Sequence, residues 1–313
     1  MAKTAELGTE GANAGAPAPR RPLRTARAVL RSARPRQWLK NVLVAAAPGA
    51  AGVLLHRTIL VRTGLAFVAF CLVAGGMYLL NDASDVRWDR EHPRKRHRPV
   101  AAGLISVRTA VVAGCLWLAA GLGVSASLGI AFTGVVAAYV GLTVAYTVWL
   151  KRVAVIDLAL VASGFVLRAV GGSTAAGVRI SQWFLILISF GALFVVAGKR
   201  HGEALAASQA GPEDPARTEG YTIPYLRYVW MVASAVSIAA YCLWAFAEPH
   251  IHHGVAWGEV SVVPFVLAVL RYALLIEWGH GAAPEDVLYG DRTLQVLVLL
   301  WLAVYGAGIY LGR

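Results

Sequence analysis

Residues 63–89 read TGLAFVAFCLVAGGMYLLNDASDVRWD, an uncharged apolar run that ends abruptly in acidic and amide side chains. The apolar part, residues 63–80, has close to the ~20 residues that a helix needs to cross a lipid bilayer. A helix can cross because it satisfies its own backbone hydrogen bonds where no water is present. This stretch therefore predicts a helical membrane protein with polar chemistry at one end of a span.

Comparable apolar runs recur along the chain of 313 residues, of which 58% are hydrophobic and only 15% charged. This composition is typical of polytopic membrane proteins and excludes an ordinary soluble domain. It predicts an all-α bundle of nine transmembrane helices in one domain, residues 34–313. Residues 1–33 are rich in Ala, Pro, Gly and Arg and are predicted to form a disordered basic cytoplasmic tail. The nine predicted spans are 39–57, 63–82, 107–128, 131–150, 154–173, 183–199, 222–247, 259–276 and 290–311.

The basic residues are distributed unevenly between the two sides of such a bundle. With the amino terminus in the cytoplasm, 25 of the 29 Lys and Arg residues fall toward the cytoplasmic side, as the positive-inside rule requires. The chain is therefore expected to be a multi-pass protein of the plasma (inner) membrane, with the 83–108 loop in the cytoplasm. Its net charge of +12 does not indicate nucleic-acid binding, because the basic residues lie beside spans and form no recognition pattern.

We call residues Asn81–Asp89 the aspartate motif. If the preceding helix continues through it, Asn81, Asp85 and Asp89 recur at every fourth position and share one face. Such oxygen ligands, together with substrate phosphates, commonly hold Mg²⁺, and Asp82 is a further ligand or orients one. A solvated helix end with incidental acids is the alternative. Basic residues that could bind the same phosphates, or serve only orientation and lipid binding, are Lys40, Arg94, Lys95, Arg96 and Arg98.

The pattern N-D-x-x-D-x-x-x-D of residues 81–89, followed by Arg98-Pro99, resembles the first aspartate-rich motif of the UbiA superfamily of intramembrane prenyltransferases. Three longer segments are similar to the branch of this superfamily that transfers phosphoribosyl groups to decaprenyl phosphate. They are residues 34–41 (RPRQWLKN), 92–99 (HPRKRHRP) and 198–203 (GKRHGE). The resemblance covers roughly residues 34–311 and implies a UbiA-like transmembrane fold with Mg²⁺ as cofactor.

One departure from the wider superfamily bears on the substrate. Aromatic prenyltransferases usually carry a second acid-rich motif after the sixth span, where this chain has the candidate substrate-binding residues Lys199, Arg200 and Glu203. Two cations suit a donor with a separate phosphate. The resemblance thus implies transfer of 5-phosphoribosyl from phosphoribosyl pyrophosphate to polyprenyl (decaprenyl) phosphate, for lipid-linked arabinose precursors of a cell wall. The alternatives are prenyl transfer from a prenyl diphosphate to an aromatic or other acceptor, and a transporter or lipid-binding membrane protein without chemistry.

Further candidate residues lie in or beside other spans. Tyr146 and Lys151 stand where the superfamily has a Tyr and a Lys-Arg pair, so the resemblance implies a diphosphate contact for Lys151. An interfacial anchor is the alternative for this lysine. Asp157 and Arg168 lie in the fifth predicted span and are expected to face the bundle cavity. Asp157 would assist the metal or a ribose hydroxyl, and Arg168 would bind substrate or pair with an acid such as Glu277.

Charged residues gather again near the last cytoplasmic loop, where the related enzymes look similar, but no individual role follows for them. His250, His252 and His253 are better interpreted as an exposed outer loop than as a metal site. The polyprenyl chain should reach the site through an apolar groove open to the bilayer, and the fold is compatible with a homo-oligomer. The candidate catalytic residues are Asp85, Asp89, Lys151 and Asp157, and the charged residues of the last loop are Arg271, Glu277, Glu285, Asp286, Asp291 and Arg292.

Overall fold

The computed structural model describes residues 22–93, 95–209, 220–247, 251–252 and 255–310. This part is helical except for turns and one short hairpin, in which strand β1 (Ile251–His252) pairs antiparallel with strand β2 (Val255–Ala256). The predicted all-α class is confirmed. The α-helices are α1 Pro22–Ser32, α2 Ala46–Ala50, α3 Arg57–Ser84, α4 Val86–Glu91, α5 Val107–Leu128, α6 Ile130–Val148, α7 Ile156–Ala176, α8 Gln182–Gln209, α9 Ile223–Ala247, α10 Trp257–Glu277, α11 Pro284–Gly290 and α12 Arg292–Tyr310. Short 3₁₀ helices span Pro35–Ala45, Lys95–His97, Leu150–Arg152 and His280–Ala282.

Eight of the described helices are long and apolar enough to cross a membrane, namely α3, α5, α6, α7, α8, α9, α10 and α12. The remaining predicted span, residues 39–57, which is the first in chain order, is wrong as a continuous helix. It consists of the 3₁₀ helix Pro35–Ala45 followed by α2, after which Gly52 adopts a left-handed φ of 67°. Pro48 lacks a backbone N–H and Gly49 is a poor helix former, so this part of the sequence does not support a longer helix.

The broken segment packs inside the bundle. Val44 and Asn41 are each 1% exposed, and the 3₁₀ helix contacts both α3 and α7. Gly172 of α7 permits the close approach, because a side chain there would meet the backbone of Val44. This packing fixes the position of the whole 3₁₀ helix, including its basic residues Arg36 and Lys40.

Replacing Gly172 with Ala should destabilise the protein. The added methyl group would overlap the backbone carbonyl of Val44, and overpacking of this kind costs about 1–3 kcal/mol. Thermal unfolding in detergent micelles measures the effect. Gly141→Ala is the matched control, because Gly141 is an exposed glycine of α6 with open space around it. An unchanged unfolding temperature for Gly172→Ala would contradict the close packing of α7 on the 3₁₀ helix.

The amino-terminal segment differs from its prediction. Disorder through residue 33 is wrong for residues 22–32, which form α1. The helix is stabilised by packing, since Ala28 is 8% exposed and lies in one apolar cluster with Leu79 and Ala83 of α3. Residues 1–21 lie outside the described residues.

Successive spanning helices run in opposite directions, so their termini gather at the two ends of the bundle. Arg62, near the start of α3, donates to the carbonyl oxygens of Leu128 (3.0 Å) and Ala175 (2.5 Å), at the carboxyl-terminal ends of α5 and α7. The other end of the bundle holds the carboxyl-terminal ends of α3, α6 and α8 and the amino-terminal ends of α5, α7 and α9. We call it the polar end, because most candidate residues lie there.

Candidate active site

The aspartate motif lies where α3 passes into α4. The backbone N–H groups of Asp85 and Asp89 donate to the carbonyl oxygens of Asn81 and Asp85, both at 2.9 Å, so helical hydrogen bonding continues through the junction. Asp85 itself departs from ideal helical geometry, with φ −91° and ψ 7°. Asn81, Asp85 and Asp89 are therefore about one turn apart along the chain, close to the predicted spacing.

Asp82 and Asp89 are the buried members of the motif, at 1% and 2% exposed, and Arg98 joins them. Its Nη1 lies 2.8 Å from Asp89 Oδ2 and 3.3 Å from Asp82 Oδ1. Arg34 provides a second cation, with its Nη2 2.5 Å from Asp82 Oδ1. Because an unpaired buried carboxylate is strongly unfavourable, these two arginines make the burial of both aspartates possible.

Arg98 has carboxylate partners within the motif, and its role as a phosphate ligand stays a prediction. Its guanidinium is engaged with two carboxylates, so it organises the aspartate motif. The contact between Arg34 and Asp82 joins residues 48 apart, and no spacing in the sequence indicates it. Lys95 and Arg96 are exposed, and Arg94 lies outside the described residues.

The chemistry of the aspartate motif fits a hard cation such as Mg²⁺, because its donors are carboxylate and amide oxygens. Asp82 Oδ2 is buried and has no hydrogen-bond partner within the described part of the chain. Asp85 is half-buried, and the hydrogen bond from Ser84 Oγ to its Oδ1 is long, at 3.4 Å. Asp82 and Asp85 thus each have carboxylate oxygen available to bind a cation.

The predicted ligands are not gathered into a ready cluster. The described residues contain no group of three or more His, Cys, Asp or Glu side chains that could hold a metal ion. Arg98 instead bridges Asp82 and Asp89. A cation bound by these two aspartates would replace Arg98 as their common partner.

A cavity of about 450 Å³ at the polar end combines cations with apolar side chains. We call it the basic cavity. Its leucine, valine and phenylalanine side chains suit hydrocarbon, and its cations suit phosphate oxygens. The charged and hydroxyl-bearing lining residues are Arg36, Lys40, Tyr146, Lys199 and Arg200.

Three elements supply these polar lining residues. The 3₁₀ helix Pro35–Ala45 provides Arg36 and Lys40, α6 provides Tyr146, and α8 provides Lys199 and Arg200. The structure thus brings together four residues that the sequence predicts separately. It adds Arg36, which belongs to the RPRQWLKN segment of residues 34–41 but is not among the predicted ligands.

Asp157 connects the basic cavity to α7 through Arg200. It is the second residue of α7 and 2% exposed, a position where a carboxylate also interacts favourably with the helix dipole. Arg200 Nη2 lies 3.2 Å from Asp157 Oδ2. Arg200 Nη1 and Lys199 Nζ lie 3.4 Å and 3.7 Å from the oxygens of Glu203. Glu203 is therefore a partner of the two cations, and its contact with substrate stays a prediction.

Tyr221, on the segment before α9, completes this network. Its hydroxyl donates to Asp157 Oδ1 and accepts the backbone N–H of Val155. Burial raises the pKa of Tyr221, and the hydrogen bond to Asp157 raises it further, so the hydroxyl stays protonated near neutral pH. Val155 has a left-handed φ of 70°, which is strained for a β-branched residue. Tyr221 therefore holds a strained turn between Lys151 and Asp157.

Arg168 is buried within the bundle and is not one of the residues that line the basic cavity. Its guanidinium donates to Asn41 Oδ1 (2.7 Å), to the Gly164 carbonyl oxygen (2.6 Å) and to the Tyr139 hydroxyl (2.9 Å). Arg168 thus ties the 3₁₀ helix Pro35–Ala45 to α6 and α7. This geometry favours a structural role over the predicted contact with substrate.

The charged residues of the last loop form pairs of their own. Arg227 Nη2 lies 2.5 Å from Glu277 Oε1, so the predicted pairing of Arg168 with Glu277 is wrong. Arg271 Nη2 lies 2.6 Å from Asp291 Oδ2, and hydrogen bonds from Arg271 and from a backbone N–H of α12 lower the pKa of Asp291. Asp286 and Arg292 are exposed, whereas His250, His253 and the side chains of His252 and Glu285 lie outside the described residues.

Lys151 lies in the 3₁₀ turn Leu150–Arg152 between α6 and α7 and is half-buried. It follows Tyr146 by five residues and precedes the strained turn at Val155. The structure therefore places Lys151 at the polar end, on the turn that leads into Asp157.

Comparison with known proteins gives matches along most of the chain. Residues 42–288 match the UbiA prenyltransferase family. The chain is 42% identical to a decaprenyl-phosphate phosphoribosyltransferase of Corynebacterium glutamicum over 93% of this chain and 89% of that protein. It is 40% identical to the decaprenyl-phosphate phosphoribosyltransferase of Mycolicibacterium smegmatis over 90% of this chain and 92% of that protein. The Mycobacterium tuberculosis protein of the same name is also 40% identical, over 91% of this chain and 95% of its own.

Solved structures share the fold. A UbiA homologue from Archaeoglobus fulgidus bound to GPP and Mg²⁺ has a TM-score of 0.67 at 19% identity, covering 90% of this chain and 99% of that chain. A structure of digeranylgeranylglyceryl phosphate synthase has a TM-score of 0.61 at 14% identity, covering 91% of this chain and 98% of that chain. These likenesses confirm the predicted UbiA-like fold.

Proposed function

Because this chain belongs to the UbiA prenyltransferase family, we propose that within that family it acts as a decaprenyl-phosphate phosphoribosyltransferase. It transfers the 5-phosphoribosyl group of phosphoribosyl pyrophosphate to decaprenyl phosphate and releases pyrophosphate, as a step toward lipid-linked arabinose for the cell wall. Identity of 40% to 42% with proteins of that name, over at least 90% of the chain, supports the proposal.

The basic cavity is the observation that carries this proposal. Phosphoribosyl pyrophosphate has a diphosphate at one position of its ribose and a separate phosphate at another, so it needs two anion sites. The cavity supplies one pair of cations from the 3₁₀ helix, Arg36 and Lys40, and another from α8, Lys199 and Arg200. A second acid-rich motif would instead favour a second metal and a prenyl diphosphate. In this chain Lys199 and Arg200 stand in the place of that motif, and two cations there favour phosphoribosyl pyrophosphate, the donor with the additional phosphate.

The reaction exchanges one C–O bond for another at the anomeric carbon of ribose. An oxygen of the lipid phosphate forms the new bond, the bond to the diphosphate breaks, and pyrophosphate leaves with the electron pair. The attacking phosphate monoester is already anionic near neutral pH, so no side chain has to remove a proton. The protein's contribution is therefore to align the two substrates, neutralise the leaving group and restrict water.

Mg²⁺, when bound, would neutralise charge on the leaving pyrophosphate. Asp85 is its best candidate ligand, because it is half-buried and pairs with no cation in the described ranges. Asn81, Asp82 and Asp89 are the other proposed ligands. Lys151 is proposed to contact the same diphosphate from the turn before α7.

The site has to meet both water and lipid, because the donor is soluble and the acceptor has a long hydrocarbon tail. We place the polar end in the cytoplasm of a plasma membrane protein, since most Lys and Arg residues lie toward it. Leu39, Leu43, Val161 and Phe165 line the apolar part of the basic cavity. They would keep the first part of the tail out of water, where each CH₂ group costs about 0.8 kcal/mol.

A single assay separates this function from its alternatives. Purified protein with Mg²⁺, labelled phosphoribosyl pyrophosphate and decaprenyl phosphate should release pyrophosphate and yield a labelled lipid. If only prenyl diphosphate and an aromatic acceptor react, prenyl transfer replaces the proposed reaction. If neither pair reacts in protein that remains folded, a role without chemistry, such as lipid transport, gains support.

Replacing Tyr221 with Phe should raise the KM for phosphoribosyl pyrophosphate while the protein stays folded. The ring keeps its packing, but Asp157 and the Val155 N–H each lose a buried partner, at a cost of about 1–3 kcal/mol. Arg200 is then held less firmly, and we expect the KM to increase roughly tenfold, equivalent to ~1.4 kcal/mol. Tyr225→Phe is the control, because Tyr225 stacks on Tyr221 and is partly exposed. Equal KM values for both variants and the unmodified protein would contradict the role of Tyr221.

A further inference from the structure

We propose that α1 binds anionic phospholipid headgroups at the membrane surface, and that this binding positions the 3₁₀ helix which supplies two cations to the basic cavity. The proposal concerns a surface outside the aspartate motif and the basic cavity. Lipid binding by α1 does not depend on the proposed function, whereas its consequence for the donor site rests on it.

The first argument is an exposed apolar stripe on α1. Ala28 and Ser32 are buried against the bundle, so the opposite side of the helix faces away from the described part of the bundle. That side carries Leu23, which is 82% exposed, and Leu30, which is 45% exposed. At 100° per residue they lie within about 20° of each other, and the exposed Ala26 is beside them. Such a stripe is unfavourable in water and favourable at a bilayer interface.

The second argument is a cationic stripe next to the apolar one. Arg24, Arg27 and Arg31 are all exposed, and their spacing of three and four residues places them on one side of the helix. No acid of the described residues forms an ion pair with any of the three. The helix α1 therefore has three sides, which are a buried side, an exposed apolar side and an exposed cationic side. This arrangement is typical of a helix that lies along a membrane with its cations among the headgroup phosphates.

The third argument is the depth at which α1 lies. Ala28 shares an apolar cluster with Leu79 and Ala83, in the last turns of α3, which is one of the helices long enough to span a membrane. The end of a span lies near the headgroups. Both exposed stripes are thus at the level of the lipid surface, and charge complementarity selects anionic phospholipid as the partner.

A short covalent path connects α1 with the donor site. Arg34 follows α1 by two residues and pairs with Asp82 at 2.5 Å. The 3₁₀ helix begins at Pro35 and brings Arg36 and Lys40 to the basic cavity. A lipid surface that holds α1 therefore also fixes the position at which the 3₁₀ helix begins. We infer that the donor binds more tightly in membranes with anionic lipid.

Hydrogen exchange of the full chain in lipid nanodiscs tests the binding step. The discs consist of phosphatidylcholine alone or of a mixture with phosphatidylglycerol. They contain no polyprenyl phosphate for the exchange measurement, and decaprenyl phosphate is added to both kinds of disc for kinetics. Backbone amides of α1 should exchange at least about tenfold more slowly in the anionic discs, since each cation near an anionic surface strengthens binding about fivefold. The difference should disappear in high salt and in the triple variant Arg24→Gln, Arg27→Gln, Arg31→Gln.

The control variant is Arg57→Gln with Arg179→Gln, which removes exposed cations at the opposite end of the bundle. It should keep the lipid dependence of α1. Equal exchange of α1 in both kinds of disc, or an unchanged lipid dependence in the triple variant, would overturn the proposal. If α1 binds anionic lipid but the KM for phosphoribosyl pyrophosphate is the same in both discs, the positioning step is wrong. A complete lack of turnover in either disc would instead count against the proposed function, because the exchange measurement needs no catalysis.

Discussion

Asp85→Asn is expected to reduce turnover by roughly a hundredfold to a thousandfold and to leave the unfolding temperature unchanged. Asparagine keeps the shape of the side chain, but its neutral amide binds Mg²⁺ and stabilises the leaving diphosphate less well. Stability should be retained because Asp85 is half-buried between α3 and α4 and, within the described part of the structure, pairs with no cation. The rate at saturating substrates, measured across a titration of Mg²⁺, gives the result.

The control for this substitution is Glu91→Gln, which neutralises an exposed acid of α4. Asp89→Asn is a less direct test, because Asp89 is buried and bonded to Arg98 at 2.8 Å. Loss of the Asp89 charge would therefore change the stability of the protein as well as metal binding. A second measurement without catalysis is the thermal stabilisation of the protein by Mg²⁺, which Asp85→Asn should weaken. Near-normal turnover with an unchanged Mg²⁺ dependence would remove Asp85 from the metal site.

The fold could be predicted from hydropathy because each long span carries enough apolar residues to cross a bilayer. The segment 39–57 shows the limit of that signal. Its apolar composition correctly indicates burial, but Val44 is buried in protein by α7 rather than in lipid. Composition alone does not distinguish these environments. The helix α1 could not be predicted for a related reason. Its Ala- and Arg-rich sequence resembles a disordered tail, and its stability comes from packing at Ala28.

The candidate site was predictable wherever a family-like motif or the alternation of spans determined a residue's position. Alternation brings the aspartate motif, Tyr146, Asp157 and Lys199 to one end of the bundle. Contacts between residues that are distant in the sequence could not be predicted. Tyr221 and Asp157 are 64 residues apart, and a tyrosine beside a span is usually an interfacial anchor.

Arg98 shows a different limit of the sequence. A basic residue that follows an acidic motif can bind either substrate or the motif itself, and both possibilities predict the same sequence. The distances of 2.8 Å and 3.3 Å to Asp89 and Asp82 identify the motif as its partner. Lys199 and Arg200 also have carboxylate partners, but they line the basic cavity as well, which makes them candidates for the donor phosphates.

Arg200→Gln should raise the KM for phosphoribosyl pyrophosphate by about 10-fold to 100-fold, because hydrogen bonds to charged groups contribute about 1.5–3 kcal/mol. Arg200 lines the basic cavity and its side chain is 25% exposed, so part of the guanidinium can reach a phosphate. The effect on kcat should be smaller, since the separate 5-phosphate carries the same charge before and during the reaction. Steady-state kinetics with varied donor concentration measures both constants.

This substitution also has a structural effect, because buried Asp157 loses the cation 3.2 Å away. A double-mutant cycle separates the two roles. If Arg200 only neutralises Asp157, then Arg200→Gln should have no effect on the KM when it is made in the Asp157→Asn protein. If Arg200 binds the donor, the increase in KM should persist in that background. Arg227→Gln is the matched control, because it breaks the pair with Glu277 and lies outside the lining of the cavity; a KM that rises equally in this control would contradict donor binding by Arg200.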